Sequence, residues 1–410
     1  MSHVYTGIEL GTDSVKIVVA EKNQDIFHVL ASCSTKSKGI KNGQITDDRA
    51  CAISIQKTID RIEKMLGFRV KKVICAVPPT DCKMDIVVGN VDVVNPSEIT
   101  GLDVSNVLNE AIKGHSSDGF EIITATPISF IVDNNENIRD PKGMSGDTLE
   151  AKIVISSIPK GTLYKLLEVI NMSGLETIDV AYTSTGDYFA SHNERYDNSV
   201  GCVINIGESS TNVSIFNKGI QIKNSLLPVG SNNVDKDLSY VFGCTAEDSR
   251  YLKENFVLAM KTYADETEKY SVTCSDGTPK DISQVEASEV VEARVREILK
   301  LSKNEIKNLT NREIRYIIVT GGLSELQGFH YLVDSEFDGL ARVCKISTVG
   351  IRHNKYSSAY GVIRYFDDKL SLRGRDYNMI SSYDEEILTS TENNLNDDYN
   401  IRTIFGHLYD

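Results

Sequence analysis

The chain has 410 residues, 40% hydrophobic and 25% charged, with 44 Lys and Arg against 58 Asp and Glu for a net charge of −14. Domains usually run to ~100–200 residues, so more than one lobe is expected; collagen-like, coiled-coil and wholly disordered chains are excluded. No block of Lys and Arg supplies the basic stripe that phosphate contacts demand, so no nucleic-acid partner is expected.

In chain order, Val4 to Leu10 reads as a short apolar strand, Gly11-Thr12-Asp13-Ser14 as a turn, and Val15 to Ala20 as a second strand. Asp47 and Asp48 open a helix whose apolar stripe is Ala52, Ile55, Ile59, Ile62 and Leu66, and Gly67 stops it. Val70 to Val77 is the next strand, ended by Pro78-Pro79. From about 82 to 165 the pattern changes to strands with a helix near Pro96 to Ile112, a small α+β insertion in the first lobe. At Val200 the opening pattern returns. Cys202 to Ile206 is a strand, Gly207-Glu208-Ser209-Ser210-Thr211 a turn, and Asn212 to Phe216 a strand. This internal duplication is the most informative feature of the sequence. Helical segments follow at about Val234 to Lys261 and Glu286 to Lys307. Tyr316 to Thr320 is then a strand delivering Gly321-Gly322 into a helix N-terminus.

Past Phe366 the character shifts. Asp384 to Asn400 carries six acidic and no basic residues, the composition of a flexible linker. Ile401, Ile404, Phe405 and Leu408 then recur at i, i+3, i+4 and i+7, a short amphipathic pattern. The eight Cys, at 33, 51, 75, 82, 202, 244, 274 and 344, include no C-x-x-C pair and read as reduced, mostly buried thiols. The N-terminus lacks the basic and apolar regions of a signal peptide, and no apolar run approaches the ~20 residues of a membrane span. Any membrane contact is expected to be peripheral.

Two hairpins with Gly/Ser/Thr turns, one per lobe, can clamp a polyphosphate, because successive backbone N–H groups in a tight turn form an anion nest. A Gly-Gly turn after a strand can lie flat against a nucleoside. With these pieces the sequence resembles the superfamily of actin, sugar kinases and heat-shock chaperone ATPases. Within it, the chain resembles the FtsA family of bacterial cell-division proteins over roughly residues 4 to 366. The likeness is carried by Gly39-Ile40-Lys41-Asn42-Gly43-Gln44-Ile45, by Leu227-Pro228-Val229-Gly230 and by Arg294-Val295-Arg296-Glu297-Ile298. Its most specific part is the run from Ile138 to Glu150, which resembles the family's 1C subdomain.

The resemblance implies a two-lobed actin-like α/β fold, a duplicated ribonuclease-H-like core with a 1C subdomain inserted in the first lobe. The expected divisions are 1–81 and 166–198 for the first lobe, 82–165 for the insertion and 199–366 for the second lobe. A linker at 367–400 and an amphipathic segment at 401–410 complete them. It implies ATP and Mg²⁺ as cofactors. Gly11, Thr12, Ser14 and Lys16 match the first phosphate loop, and Gly207, Ser209, Ser210 and Thr211 the second. Gly230, Lys253, Gly321 and Gly322 match ribose, base and adenosine positions. Glu9 stands where the family usually has Asp, and can still hold Mg²⁺ through water. Asn205 replaces the Asp that usually begins the second loop, and an amide cannot act as a general base. Glu208 brings negative charge beside the phosphates, and Arg250 stands where the family often has an acidic residue. Hydrolysis is therefore expected to be weak or absent, with Asp187 the nearest candidate for a water-orienting catalytic carboxylate.

The implied function is a cytoplasmic, filament-forming adaptor at the division site. Its implied partners are the FtsZ C-terminal peptide, other copies of itself, later division proteins and the inner membrane face, reached through 401–410. The rival readings are a pilus-assembly-type adaptor and a sugar- or acetate-type kinase of the same superfamily.

Overall fold

The computed structural model describes residues 3–115, 118–274 and 277–389 of the chain. The first lobe opens with β1 (His3–Leu10), β2 (Ser14–Asn23) and β3 (Ile26–Lys36), joined by tight turns. A two-residue ribbon of β4 (Ile40–Lys41) and β5 (Gln44–Ile45) leads to α1 (Asp48–Leu66) and β6 (Lys72–Val77). The expected caps of α1 are present. The Asp47 carboxylate accepts from the Ala50 N–H, and Gly67 ends the helix at φ 78°. All five predicted stripe residues are buried.

The insertion consists of β7 (Lys83–Asp92), α2 (Gly101–Ile112), β8 (Phe120–Val132), β9 (Asn135–Ile138) and β10 (Thr148–Pro159). Its sheet runs β7-β10-β8-β9 and has its own core, with Val104, Val107 and Leu108 of α2 packed on Phe130, Leu149 and Ile153. The helix starts five residues later than Pro96 because Thr100 and Asp103 form a capping box there. α3 (Lys160–Met172) belongs to the first lobe instead, since Leu163, Leu166 and Val169 pack with the α1 stripe. The insertion thus closes at Pro159, short of the expected 165. β11 (Glu176–Tyr182) and α4 (Thr183–Ala190) complete the lobe.

The second lobe holds β12 (Val200–Ile206), β13 (Thr211–Asn217), β14 (Ile220–Leu227), α5 (Ser231–Phe242) and α6 (Ala246–Tyr251). The hairpin β15 (Lys269–Thr273) and β16 (Pro279–Ser283) precedes the long α7 (Gln284–Leu309). β17 (Tyr316–Thr320), α8 (Phe329–Glu336), β18 (Ala341–Val343), α9 (Ser357–Leu372) and α10 (Ser382–Thr389) follow. The single helix expected over 234–261 is interrupted. Gly243 takes φ 64° and Thr245 caps a new start, so α5 and α6 turn apart.

Both lobes carry the same sheet. Strand order is β3-β2-β1-β6-β11 in the first and β14-β13-β12-β17-β18 in the second. In each, two antiparallel pairings are followed by two parallel ones. Between the sheets lie α4 and α9, whose backbones touch. A Cβ on Gly361 would sit 1.7 Å from the Gly186 carbonyl oxygen, so no side chain fits there. Tyr5, Ile74 and Ala76 from one sheet and Val203, Phe216 and Ile318 from the other share one core with these helices.

The stretch expected as linker from 367 is docked on the first lobe as far as the described residues reach. α9 runs on to Leu372, and Met379 is buried, its N–H donating to the Val4 carbonyl. The Tyr377 hydroxyl accepts from Lys72 Nζ at 2.7 Å, and Ile380 and Leu388 pack on the first lobe's core. Apolar residues spaced through an acidic stretch suffice to dock it. The amphipathic segment at Ile401, Ile404, Phe405 and Leu408, and the linker from 390 onward, lie outside the described residues. Among the described residues no helix is long and apolar enough to cross a membrane. Six of the eight Cys are buried, and Cys82 and Cys274 are partly exposed.

Candidate functional site

The β1–β2 and β12–β13 turns point at each other across a cavity of about 570 Å³ between the lobes. Each turn closes in the same way. The Gly11 N–H donates to Ser14 O at 3.1 Å, and the Gly207 N–H to Ser210 O at 2.9 Å. Thr12 Oγ1 and Ser209 Oγ approach to 3.4 Å, a hydrogen bond between the two tips. The two turns thus offer hydroxyls and backbone donors to one volume, as an anion clamp requires.

Of the predicted site residues, Glu9, Gly11, Thr12, Ser14, Lys16, Gly207, Ser209, Ser210, Lys253, Gly321 and Gly322 line this cavity. Three do not. Thr211 is fully buried, and its hydroxyl donates to the Val229 carbonyl, tying β13 to the following loop. Gly230 lies behind the second turn. A Cβ there would meet the Glu208 carbonyl oxygen at 2.5 Å, and the neighbouring Ser231 N–H donates to Gly207 O, so Gly230 shapes the loop rather than facing the cavity.

Asp187 is the third. It is fully buried, its Oδ2 accepting from Asn205 Nδ2 at 2.6 Å and its Oδ1 from Ser357 at 2.5 Å and Ser358 at 2.8 Å. Burial pushes its carboxyl up to about 6, against the hydrogen bonds from Ser357 and Asn205. Its oxygens are committed to joining α4, β12 and α9, and no water-orienting face is left toward the cavity. The sequence could not show this, because the three donors come from segments 18 and 170 residues away.

Most of the cleft's charges are paired within and across the lobes. Lys16 Nζ lies 2.9 Å from Glu9 Oε1, and Lys253 Nζ 2.7 Å from Asp235 Oδ2. Lys253 is 8% exposed, so it is not the solvated helix lysine its surroundings in sequence suggest. Arg250 of the second lobe reaches Asp13 of the first at 2.8 Å and Glu254 at 2.8 Å. Burial alone would raise Asp13, but Arg250, Lys16 and Ser14 more than offset it and hold the carboxyl below its usual range. Glu208 shifts up instead, through burial first and then Asp13. Asp13 of the first turn also lines the cavity, as do Asp235, Glu325, His353, Asn354 and Lys355, none of them singled out as site residues from the sequence. Glu325 closes the short turn that Gly322 opens, and His353, Asn354 and Lys355 sit just before α9 with no motif to mark them.

Gly321 adopts φ 97°, and a Cβ there would lie 2.3 Å from Ile206 O. Glycine is therefore required for this turn to lie against the second hairpin. Gly322 opens a short 3-10 turn, and α8 starts only at Phe329, so the turn does not enter a helix directly as expected.

For a metal, no group of three His, Cys, Asp or Glu converges among the described residues. Glu9, at the end of β1, and Asn212, in the second hairpin and with its Oδ1 buried without a hydrogen-bond partner, both line the cavity. A few oxygen acceptors without a ligand cluster fit a hydrated Mg²⁺ carried by phosphates, not a protein-caged ion.

A sequence model described as cell division protein FtsA matches residues 202–361, and one described as the SHS2 domain inserted in FtsA matches residues 81–157. The cell division protein FtsA of Bacillus subtilis (strain 168) is 27% identical over 377 residues, covering 91% of this chain and 86% of its own length. That of Streptococcus pneumoniae serotype 2 is 28% identical over 356 residues, covering 86% and 78%. Among solved structures, a PilM–PilN type IV pilus biogenesis complex superposes with TM-score 0.59 at 11% identity, over 88% of this chain and 98% of that one. MreB5 of Spiroplasma citri bound to ADP gives 0.55 at 12%, over 90% and 97%. The solved structures show the actin-like fold.

Proposed function

The chain belongs to the FtsA family of actin-like cell-division proteins, and from that premise we propose that it binds Mg·ATP between its lobes, self-associates and tethers FtsZ filaments to the inner membrane face. The observation that carries nucleotide binding is the pair of phosphate-type hairpins, alike in register and hydrogen bonding, closing on one cavity that also receives the Gly321-Gly322 turn. In this reading the Gly11–Ser14 and Gly207–Ser210 turns hold the phosphates, and Lys253 with Asp235 flanks the nucleoside. Bound Mg²⁺, held through water by Glu9 and Asn212, supplies the countercharge for the phosphates.

Turnover is proposed to be weak. Phosphoryl transfer depends on positioning and preorganised charge. Asn205 is neutral, Asp187 is committed to three donors, and Glu208 sets a carboxylate near the phosphates. The same features speak against a sugar or acetate kinase, which needs a free catalytic carboxylate. Filament formation would be heterologous and open-ended, the arrangement that places many weak membrane-binding segments in a row.

Sedimentation with anionic vesicles, ATP and FtsZ tests this reading. It predicts that the chain reaches the lipid, carries FtsZ with it, and does so more strongly when assembled. Monomeric behaviour on lipid at high concentration, with FtsZ left in the supernatant, contradicts it.

A further inference from the structure

We propose that Lys355 is a phosphate-chain ligand of the cleft, the cation held in reserve for the nucleotide; this rests on the nucleotide reading and deepens it. The argument begins with a census of positive charge. Lys16 is taken by Glu9, Arg250 by Asp13 and Glu254, Lys253 by Asp235, and His353 lies 3.2 Å from Glu325. Lys355 lines the same cavity and, among the described residues, has no ion pair. Its ammonium lies over the ring of its neighbour Tyr356, 5.1 Å from the centroid, and has no carboxylate partner.

Lys355 is half-buried, and half-buried cations normally find a counter-ion. Its neighbourhood makes matters worse. Burial lowers its pKa, and the Lys16 ammonium lowers it further, with Asp13 pulling the other way. Asp13 lies in the first phosphate-type turn and Lys16 two residues past it in β2, and all three line one cavity, so Lys355 stands beside that turn. Two ammonium groups facing one volume beside a nest of N–H donors describe a site for a strong anion.

The placement is fixed by the surrounding structure. The Asn354 N–H donates to Glu325 Oε1 and its side-chain amide to Ser324 Oγ at 3.0 Å, tying the turn to the Gly321-Gly322 segment. On the other side Ser357 is bonded to Asp187. The backbone around Lys355 is thus pinned at both ends, and the buried Asp187 helps to hold it. Uncompensated charge kept at a rigid position is the mark of a binding group, since it disfavours the empty state and is relieved by ligand.

The test titrates ADP and a non-hydrolysable ATP analogue, each with Mg²⁺, into the full chain, Lys355→Gln and Lys355→Arg, with the melting temperature of each protein without nucleotide. A lost charge-assisted contact to phosphate should weaken both nucleotides roughly 10- to 100-fold in Lys355→Gln. Lys355→Arg should recover most of the affinity, and the melting temperature of nucleotide-free Lys355→Gln should not fall. Unchanged nucleotide affinity in Lys355→Gln overturns the proposal while leaving nucleotide binding intact. So does a loss that accompanies a lower melting temperature and is not rescued by Arg. A native chain that binds neither nucleotide overturns the nucleotide reading itself, and this inference with it.

Discussion

The two hairpins at the cleft share a backbone and differ in what their side chains do. In the first, Glu9 faces Lys16 across the ladder and the two form an ion pair; in the second, Asn205 faces Asn212 in the equivalent place. Both turns close with the same glycine-to-serine hydrogen bond. The first hairpin is therefore held by charge near the cavity surface. The second is held from behind, through Asn205 to the buried Asp187 and through the packing of Gly230 and Gly321 against its carbonyls. A duplicated fold preserves the geometry of the two turns, while the supporting contacts diverge.

That contrast predicts unequal tolerance to a single methyl group. Gly321→Ala meets both a positive φ and the Ile206 carbonyl, and Gly230→Ala meets the Glu208 carbonyl, all backbone atoms that cannot yield. Each should cost about 2 kcal/mol or more in stability and most of the nucleotide affinity. Gly11→Ala meets first the far end of the Lys16 side chain at 2.8 Å, which can shift, and then the Ser14 carbonyl oxygen at 3.0 Å, a looser backbone contact than those at Gly230 and Gly321, and should cost about 1 kcal/mol. Thermal melts and titrations of the three variants rank them, and equal losses at Gly11 and Gly230 would erase the contrast.

Converting the second hairpin toward the first is the next largest change. Asn205→Asp places a second carboxylate against buried Asp187 and removes the amide donor at 2.6 Å. Leaving that carboxylate without its donor should cost about 1–3 kcal/mol at neutral pH. The penalty should shrink on acidification, because one proton shared by the pair restores a hydrogen bond. A neutral-pH melt matching the native protein would show that Asp187 is not the support described.

Asp187 also shapes the native pH dependence. Its folded pKa, about 6, lies above the unfolded value of 3.8. The folded state therefore binds more protons between these values. The stabilising contribution is full below about 3.8 and is lost as pH rises through about 6. The span corresponds to about 3 kcal/mol as an upper bound. Asp187→Asn should flatten that part of the stability profile in denaturant titrations, and an unchanged slope would assign it to other groups.

The smallest effect belongs to the bridge between lobes. Arg250 and Asp13 are each about a third exposed at 37% and 35%, so Arg250→Ala should cost under ~1 kcal/mol. It should instead speed nucleotide exchange by freeing one contact across the cleft, as followed with a fluorescent nucleotide.

The duplication was legible because strand–Gly turn–strand is written in consecutive residues, and so were α1 with its caps and the insertion's α+β character. The parts that sequence could not show depend on contacts at long range. Asp187 looks like a catalytic carboxylate until Ser357 and Ser358 arrive from α9. Lys355 looks like a loop lysine until the fold brings it beside Lys16. The acidic stretch after 366 looks like linker because composition weighs Met379 and Tyr377 too lightly against the charges around them. The break between α5 and α6 was readable in Gly243 and Thr245, and the apolar pattern running through them hid it.

The central claim is that the two hairpins and the Gly321 turn form one nucleotide site, and a calorimetric titration of Mg·ATP into the native chain and Gly321→Asp tests it most directly. The account predicts one site per chain and a raised melting temperature in the native protein, both lost in the variant through bulk and charge beside the nucleotide. No heat and no thermal shift in the native chain at millimolar ATP, or equal binding by the variant, would contradict it.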